Sequence, residues 1–213
     1  MFRILSFLIY RYRWILQGIS ILCNLCYMRY LRINCGMNVK VIGKVYFDIH
    51  KLSRVTIGDN FVFTSGMGLN PLCRNIRGSI RVRKGAELVI GNNVGMSSVC
   101  LWVKSRVSIG NNVFIGGNVI IIDNDAHSLN WEIRRSVEME GELPIHASRA
   151  ASSPIYIEND VMIGANSVIL KGVRIGARSV IGAGSVVTKD IPADCVAGGN
   201  PCKIIRRFEK TEK

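Results

Sequence analysis

The sequence predicts an all-β fold, a parallel β-helix of short strands wound as a triangular coil, with a helical segment ahead of it. Three observations carry this reading. Aliphatic residues recur with a period of six from residue 90 onward, a single long polar stretch interrupts that period, and the first 31 residues are apolar without repeating. The 213 residues are 48% hydrophobic and only 20% charged, so a substantial core is available. The chain divides into an N-terminal helical segment (1–40), a repeat domain (41–207) and a short tail (208–213).

The N-terminal segment runs from Phe2 to Leu31 and is interrupted by Arg3, Arg11, Arg13 and Arg29. Its longest uncharged run, Trp14 to Met28, has 15 residues, short of the roughly 20 that a membrane-spanning helix needs. The stretch Cys23-Asn24-Leu25-Cys26 offers no small-residue cleavage site, which argues against a secretory signal. Residues 1–60 hold nine basic and two acidic residues, whereas 151–213 hold nine and six, so over half of the net charge of +13 sits in the first quarter. Two readings of the segment stay open. One is an interfacial helix whose arginines and aromatics lie against the inner face of an anionic membrane. The other is a helical cap packed on the domain or on a neighbouring subunit.

The remaining composition narrows the function classes. Aromatics make up 8%, and no Arg-rich tract, RNP-like motif or zinc-finger spacing is present, so no nucleic-acid partner is expected. Seven scattered cysteines, an odd number, do not form a disulfide framework and point to a reducing, cytoplasmic compartment. Cys23 and Cys26 have CxxC spacing without a second pair or a nearby His, so they are read as buried, inert thiols.

The repeat is read before its elements. Aliphatic residues stand at Ile90 and Met96, then after a one-residue slip at Val103, Ile109, Ile115 and Ile121, and again at Ile157, Ile163, Ile169, Ile175, Ile181 and Val187. Glycine follows six of them, and the fifth position of each hexad is mostly small or β-branched (Val107, Val113, Val119, Val161, Ser167, Val173, Ser179, Ser185). A helix would repeat every three or four residues and a half-buried strand every two, so the period of six fits short strands joined by tight turns. Three hexads close one triangular coil, successive coils stack about 4.8 Å apart, and the aliphatic residues form interior ladders. Gly and Asn at the corners supply backbone conformations that β-branched residues resist. The period breaks once, at about 123–156, beginning DNDAHSLNWEIRR. A loop of that length in a regular coil is unfavourable to order and is usually functional. In hexad register Asp125 takes a fifth, wall-forming position, so Asp123, Asn124, Asp125 and His127 mark the root of the loop as the candidate site.

The run VMIGANSVILKGVRIGARSVIGAGSVVTKDIP and the tail AGGNPCKIIR resemble the hexapeptide-repeat acyltransferases, most of all the bacterial sugar O-acetyltransferases that decorate capsules, exopolysaccharides and small saccharides. The resemblance spans about residues 85–207. It implies a left-handed parallel β-helix of hexapeptide repeats, a handedness that contravenes the usual crossover rule and that the period alone cannot give. It also implies an acetyl-CoA-dependent acyltransferase without a metal, acting on a nucleotide-linked or lipid-linked saccharide in surface-polysaccharide synthesis, and packed as a homotrimer.

Acyl transfer from a thioester to a hydroxyl needs a base, and a neutral imidazole suits that role near neutral pH. By resemblance the base is His127, with Asp125 or a backbone carbonyl orienting its ring. Ala165 and Ala183 match positions where the pantetheine arm approaches the main chain, and Thr188, Lys189, Lys203 and Arg206 match positions around the nucleotide phosphates. Gly184 and Ser185 are read as turn and wall. His146, beside Pro144, and His50, outside the clear repeat, are expected to be structural or solvent-facing. The three histidines stand 77 and 19 residues apart, which does not suit the three-His zinc site of β-helical carbonic anhydrases. Acceptor-binding Asn and Asp positions of the maltose and galactoside enzymes correspond here to Met96 and Lys104, and the Trp of their VWIG step to Met162, so a different acceptor is implied. The alternatives are an N-acyltransferase on an amino sugar and a noncatalytic β-helix scaffold that binds a saccharide or partner.

Overall fold

The computed structural model describes residues 2–66 and 68–208. Three parallel sheets form the sides of a left-handed β-helix. The first sheet takes Asn34–Cys35, Arg54–Ile57, Glu87–Ile90, Arg106–Ile109, Ile155–Ile157 and Arg174–Ile175. The second runs in parallel from Lys40–Ile42 to Cys195–Gly198 and ends on the antiparallel strand Lys203–Arg207, and the third runs from Tyr46–Ile49 to Val186–Val187. Each coil visits the three sheets in that order. All twelve aliphatic ladder residues named above are buried, from Val103 at 0% to Met96 and Ile115 at 3% exposed. The eight fifth-position residues are buried too. Where Ser replaces Val there, its hydroxyl donates inside the wall, Ser167 to the Gly182 carbonyl at 3.1 Å and Ser179 to that of Pro192 at 2.7 Å.

The corner between the first and second sheets shows why the repeat is written Ile-Gly-Asn-Asn. The last Asn of each corner is left-handed, with φ near +56° at Asn60 and Asn112 and +57° at Asn93. Side chains form a ladder along this corner: Asn60 donates to Asn93, Asn93 to Asn112 and Asn112 to Asp160, at 2.9, 2.9 and 3.0 Å. One residue earlier, the carboxamide oxygens of Asn111 and Asn159 accept the main-chain N–H groups of Asn92 and Asn111, both at 2.8 Å. That contact leaves no room at the preceding glycine. A Cβ on Gly91 would stand 2.6 Å from the Asn111 Oδ1 and 2.7 Å from main chain of the next coil.

The repeat extends further toward the N-terminus than the hexad lettering indicates. The first strand begins at Asn34 and pairs with Arg54–Ile57, inside the segment assigned to 1–40. Upstream coils carry larger core residues, Phe61 and Phe63 among them, and the chain leaves the coil between Val62–Thr64 and Ser79–Val82 in an excursion that contains the 3₁₀ turn Pro71–Cys73. That excursion displaces the period and hides the earlier coils from a search for hexads.

Helix α1 (Phe2–Tyr30) closes the open end of the first coil. Met28 is buried, Leu25 packs against the core, and the Asn24 carboxamide donates to the Val41 and Gly43 carbonyls at 2.8 and 2.9 Å. Those strand-edge carbonyls have no preceding coil to pair with, so the helix supplies the missing partners. Cys23 and Cys26 do not face the core as expected: both are exposed on α1, which presents Ser20, Asn24 and Met28 inward instead, whereas Cys73 and Cys195 are buried. The side chains of Arg3 and Arg13, and the tail beyond Phe208, lie outside what the structure describes. No helix among the described residues is long and apolar enough to cross a membrane. At the far end, Lys203–Arg207 folds back antiparallel on Cys195–Gly198 and covers the last strand.

Because the atoms that crowd Gly91 are largely main chain, Gly91→Ala should destabilise the fold by about 1 to 3 kcal/mol, the usual effect of overpacking. Urea unfolding followed by circular dichroism measures this, and an unchanged midpoint would show that the coils can separate at that corner.

Candidate functional site

The loop leaves the coil after Ile120–Ile122 and rejoins it at Ile155–Ile157, at the corner between the third and first sheets. Asp123 seals that corner. Its buried carboxylate accepts the N–H groups of Lys104 and Ser105, both at 2.7 Å, and so takes over the role that main chain plays elsewhere in the coil. The two limbs of the loop then pair with each other. Asn124 bridges Ser152, Asp125 N–H donates to the Ala151 carbonyl at 2.9 Å, and Ser128 N–H donates to the His146 carbonyl at 2.7 Å. The Asn124 side chain accepts from Ala126 N–H at 2.9 Å, and Ala126 takes φ +59°, which turns His127 outward.

The outgoing limb carries the short helix α2 (Trp131–Arg135), and the return limb a two-stranded hairpin (Met139–Glu140 with Leu143–Pro144) and the short helix α3 (Ile145–Ser148). Lys104 fastens α3 to the coil: its ammonium donates to the carbonyls of Ala147, Ser148 and Ala150 at 2.9, 2.7 and 2.6 Å. Burial pushes the Lys104 pKa below the ordinary lysine value, against the opposing pull of Asp123. Lys104, which stands where the resemblance puts an acceptor-binding Asp, is therefore occupied in holding the loop. Glu140 ties the hairpin to the same helix, its carboxyl held below the ordinary range first by the Ser148 hydroxyl and then by Arg149.

This folding brings His127 and His146 face to face, with Nδ1 to Nδ1 at 2.9 Å and ring centroids 4.8 Å apart. His146 is thus neither an isolated structural residue nor merely solvent-facing; it is the direct partner of the candidate base. Asp125, expected to orient the His127 ring, turns the other way. Its carboxylate pairs with Lys171 of the following coil at 2.8 Å and makes no side-chain bond to either imidazole, and only its main-chain carbonyl accepts from His127 N–H, at 2.6 Å. Pairing between the limbs fixes the backbone of Asp125 so that its side chain meets the next coil. His50 accepts Leu52 N–H at 3.1 Å and approaches Glu142 of the loop at 3.9 Å.

One cavity borders this arrangement and a second lies on another side of the prism. One, of about 500 Å³, lies under the hairpin and is lined by His50, Arg83, Lys84, Trp102, Asn124 and Glu140, with the Arg81 guanidinium 5.3 Å from the centre of the Trp102 ring. The other, an open apolar groove of about 620 Å³ on the second sheet, is lined by Met96, Phe114, Gly116, Met162 and Ala165 among others. Ala165 and Ala183 stack at the corner between the second and third sheets, on successive coils. Thr188 and Lys189 follow Val186–Val187 and stand across the third sheet from them, while Lys203 and Arg206 lie on the terminal strand, all four exposed. Within one chain, then, the alanine corner and the histidine loop occupy different corners of the prism. Among the described residues no three His, Cys, Asp or Glu side chains gather as a metal site.

Stacked hexapeptide coils, interrupted by one histidine-bearing loop, define a left-handed β-helix protein. A family model described as the hexapeptide repeat of succinyl-transferase matches residues 106–122 and 154–189. A galactoside O-acetyltransferase of Escherichia coli (strain K12) is 45% identical over 130 residues, 61% of this chain and 58% of that protein. A 2,3,4,5-tetrahydropyridine-2,6-dicarboxylate N-acetyltransferase of Staphylococcus aureus (strain Newman) is 48% identical over 62 residues, 29% of this chain and 26% of that one. The crystal structure of a hexapeptide-repeat acetyltransferase of Vibrio cholerae O1 biovar eltor, complexed with acetyl-coenzyme A, superposes with a TM-score of 0.53 at 28% identity, covering 87% of this chain and 76% of that one. The chain is thus similar to hexapeptide-repeat acetyltransferases. It spans less than two thirds of the length of the curated relatives it matches, 58% and 26% for the two above.

Proposed function

We propose that this protein is an acetyl-CoA-dependent O-acetyltransferase whose acceptor is a sugar hydroxyl, on a nucleotide-linked or lipid-linked intermediate of bacterial surface-polysaccharide synthesis. The observation that carries the reading is the exposed imidazole of His127 at the loop root, bonded through Nδ1 and with no bond to Nε2 among the described residues. Nε2 takes the proton of the acceptor hydroxyl as its oxygen attacks the thioester carbonyl. The tetrahedral intermediate then collapses, the C–S bond breaks, and the imidazolium returns the proton to the departing thiolate. No covalent acyl-enzyme is needed. The cavity beside Trp102, Arg83 and Asn124 offers an aromatic wall and polar groups for the acceptor. The small residues Ala165 and Ala183 would give the donor arm access to main chain at their corner, with Thr188, Lys189, Lys203 and Arg206 toward its nucleotide end.

A homotrimer reconciles the two corners. A donor arm at the alanine corner of one chain would meet the histidine loop of its neighbour, so the site is complete only between subunits. Light scattering at micromolar concentration should give three times the chain mass; an active monomer would end this reading.

The outer face of α1, where Tyr12, Trp14, Ile15, Ile19 and Leu22 are exposed, supports peripheral contact with the anionic inner face of the cytoplasmic membrane. Full-length protein should co-sediment with vesicles containing anionic lipid at low salt and be released as salt rises. Failure to bind while folded and active would leave α1 as a cap alone.

Incubation with labelled acetyl-CoA and a panel of nucleotide-linked and lipid-linked glycans tests the reaction itself. His127→Ala should lower kcat by on the order of 10² to 10⁴ with acetyl-CoA binding intact, while Lys189→Ala and Lys203→Ala should raise the acetyl-CoA KM more than they lower kcat. Label on amino sugars alone would convert the reading to N-acyl transfer, and no acceptor-dependent release of CoA would leave a binding scaffold.

A further inference from the structure

We propose that His146 is the positioning residue of the candidate base: its Nδ1 accepts the Nδ1 proton of His127 and so keeps the lone pair of His127 on Nε2. The inference rests on the reading of His127 as general base and deepens it.

Two imidazole Nδ1 atoms 2.9 Å apart cannot both carry protons or both present lone pairs, so one donates and the other accepts. A neutral pair has two such arrangements. If His146 donates, His127 holds its proton on Nε2, and the only lone pair it could offer a substrate is already taken by His146. If His127 donates, Nε2 is free at the opposite edge of the ring. When Nε2 then gains the hydroxyl proton, the Nδ1–H of the imidazolium still points at an acceptor and the bond becomes charge-assisted. Only the second arrangement survives the proton transfer, and it is favoured most as positive charge develops. A carboxylate could play the acceptor role, but Asp125 pairs with Lys171 through Oδ1 and leaves its buried Oδ2 without a partner, whereas the His127 Nδ1 is already met by His146.

His146 is also held where the role requires. The buried side chain of Ile145 anchors α3 beside it, the Lys104 ammonium grips three carbonyls at the end of the same helix, and the His146 carbonyl accepts from Ser128, next to His127. Both rings therefore hang from backbone tied together on the two limbs of one loop.

The test uses the full-length protein labelled with ¹⁵N-histidine, together with the acetyl-transfer assay. Long-range ¹H–¹⁵N correlations of the neutral wild type should show His127 protonated at Nδ1 and His146 at Nε2. In His146→Leu, His127 should lose that fixed tautomer and kcat should fall roughly 10- to 100-fold, less than on losing the base itself, with the acetyl-CoA KM unchanged. His146→Asn, whose Oδ1 stands near the position of the imidazole Nδ1, should restore most of the rate. If His146→Leu does not fold, the wild-type tautomer and the Asn variant still decide. A His127 proton on Nε2 in the wild type, full activity in a folded His146→Leu, or an Asn variant as slow as the Leu variant overturns the positioning role. His127→Ala with undiminished activity overturns the base assignment together with it.

Discussion

Everything in this molecule depends on how closely one coil can approach the next. Stacking at strand spacing leaves no space for a Cβ at Gly91 or Gly110, whose would-be substituents meet Asn111 and Asn159 and the main chain beneath them. The same approach lets those carboxamides accept N–H groups that turn outward at the corner and have no strand partner. Glycine for clearance, asparagine for the orphan donor and a second asparagine for the left-handed residue are one physical requirement written as three adjacent letters.

A coil so constrained can vary only outward, at its corners. Both excursions obey this: one leaves after Val62–Thr64, the other after Ile120–Ile122. At the second, Asp123 replaces main chain as the acceptor for Lys104 and Ser105, so the insertion is accommodated without opening the prism. The chemistry-bearing groups are thereby mounted on a rigid support while their immediate surroundings remain free to differ from coil to coil.

The interior was legible residue by residue because periodicity reports on burial wherever every coil meets the same neighbours. Ile90, Met96 and Val103 could be assigned to the core from spacing alone, as could the location of the loop and the singular placement of His127 at its root. Legibility faded in the coils before residue 85, where Phe61 and Phe63 replace smaller residues and an excursion shifts the count. On α1 a CxxC spacing within an apolar run gave no hint that both thiols face outward, since the inward face is defined by Ser20 and Asn24 bonding strand-edge main chain and by Met28 entering the core.

The sequence by itself determined the β-helix, its inward ladders, the position of its interruption and the imidazole at the root of that interruption, because each follows from a local pattern repeated against an identical neighbour. Only the tertiary structure decided that His127 faces His146 across 2.9 Å, that Asp125 turns to Lys171, and that Lys104 clamps α3. Those contacts join residues 19 to 46 positions apart, in a loop that repeats nothing. Their pairing is fixed by how two limbs fold back over a corner, and no periodic pattern records that path.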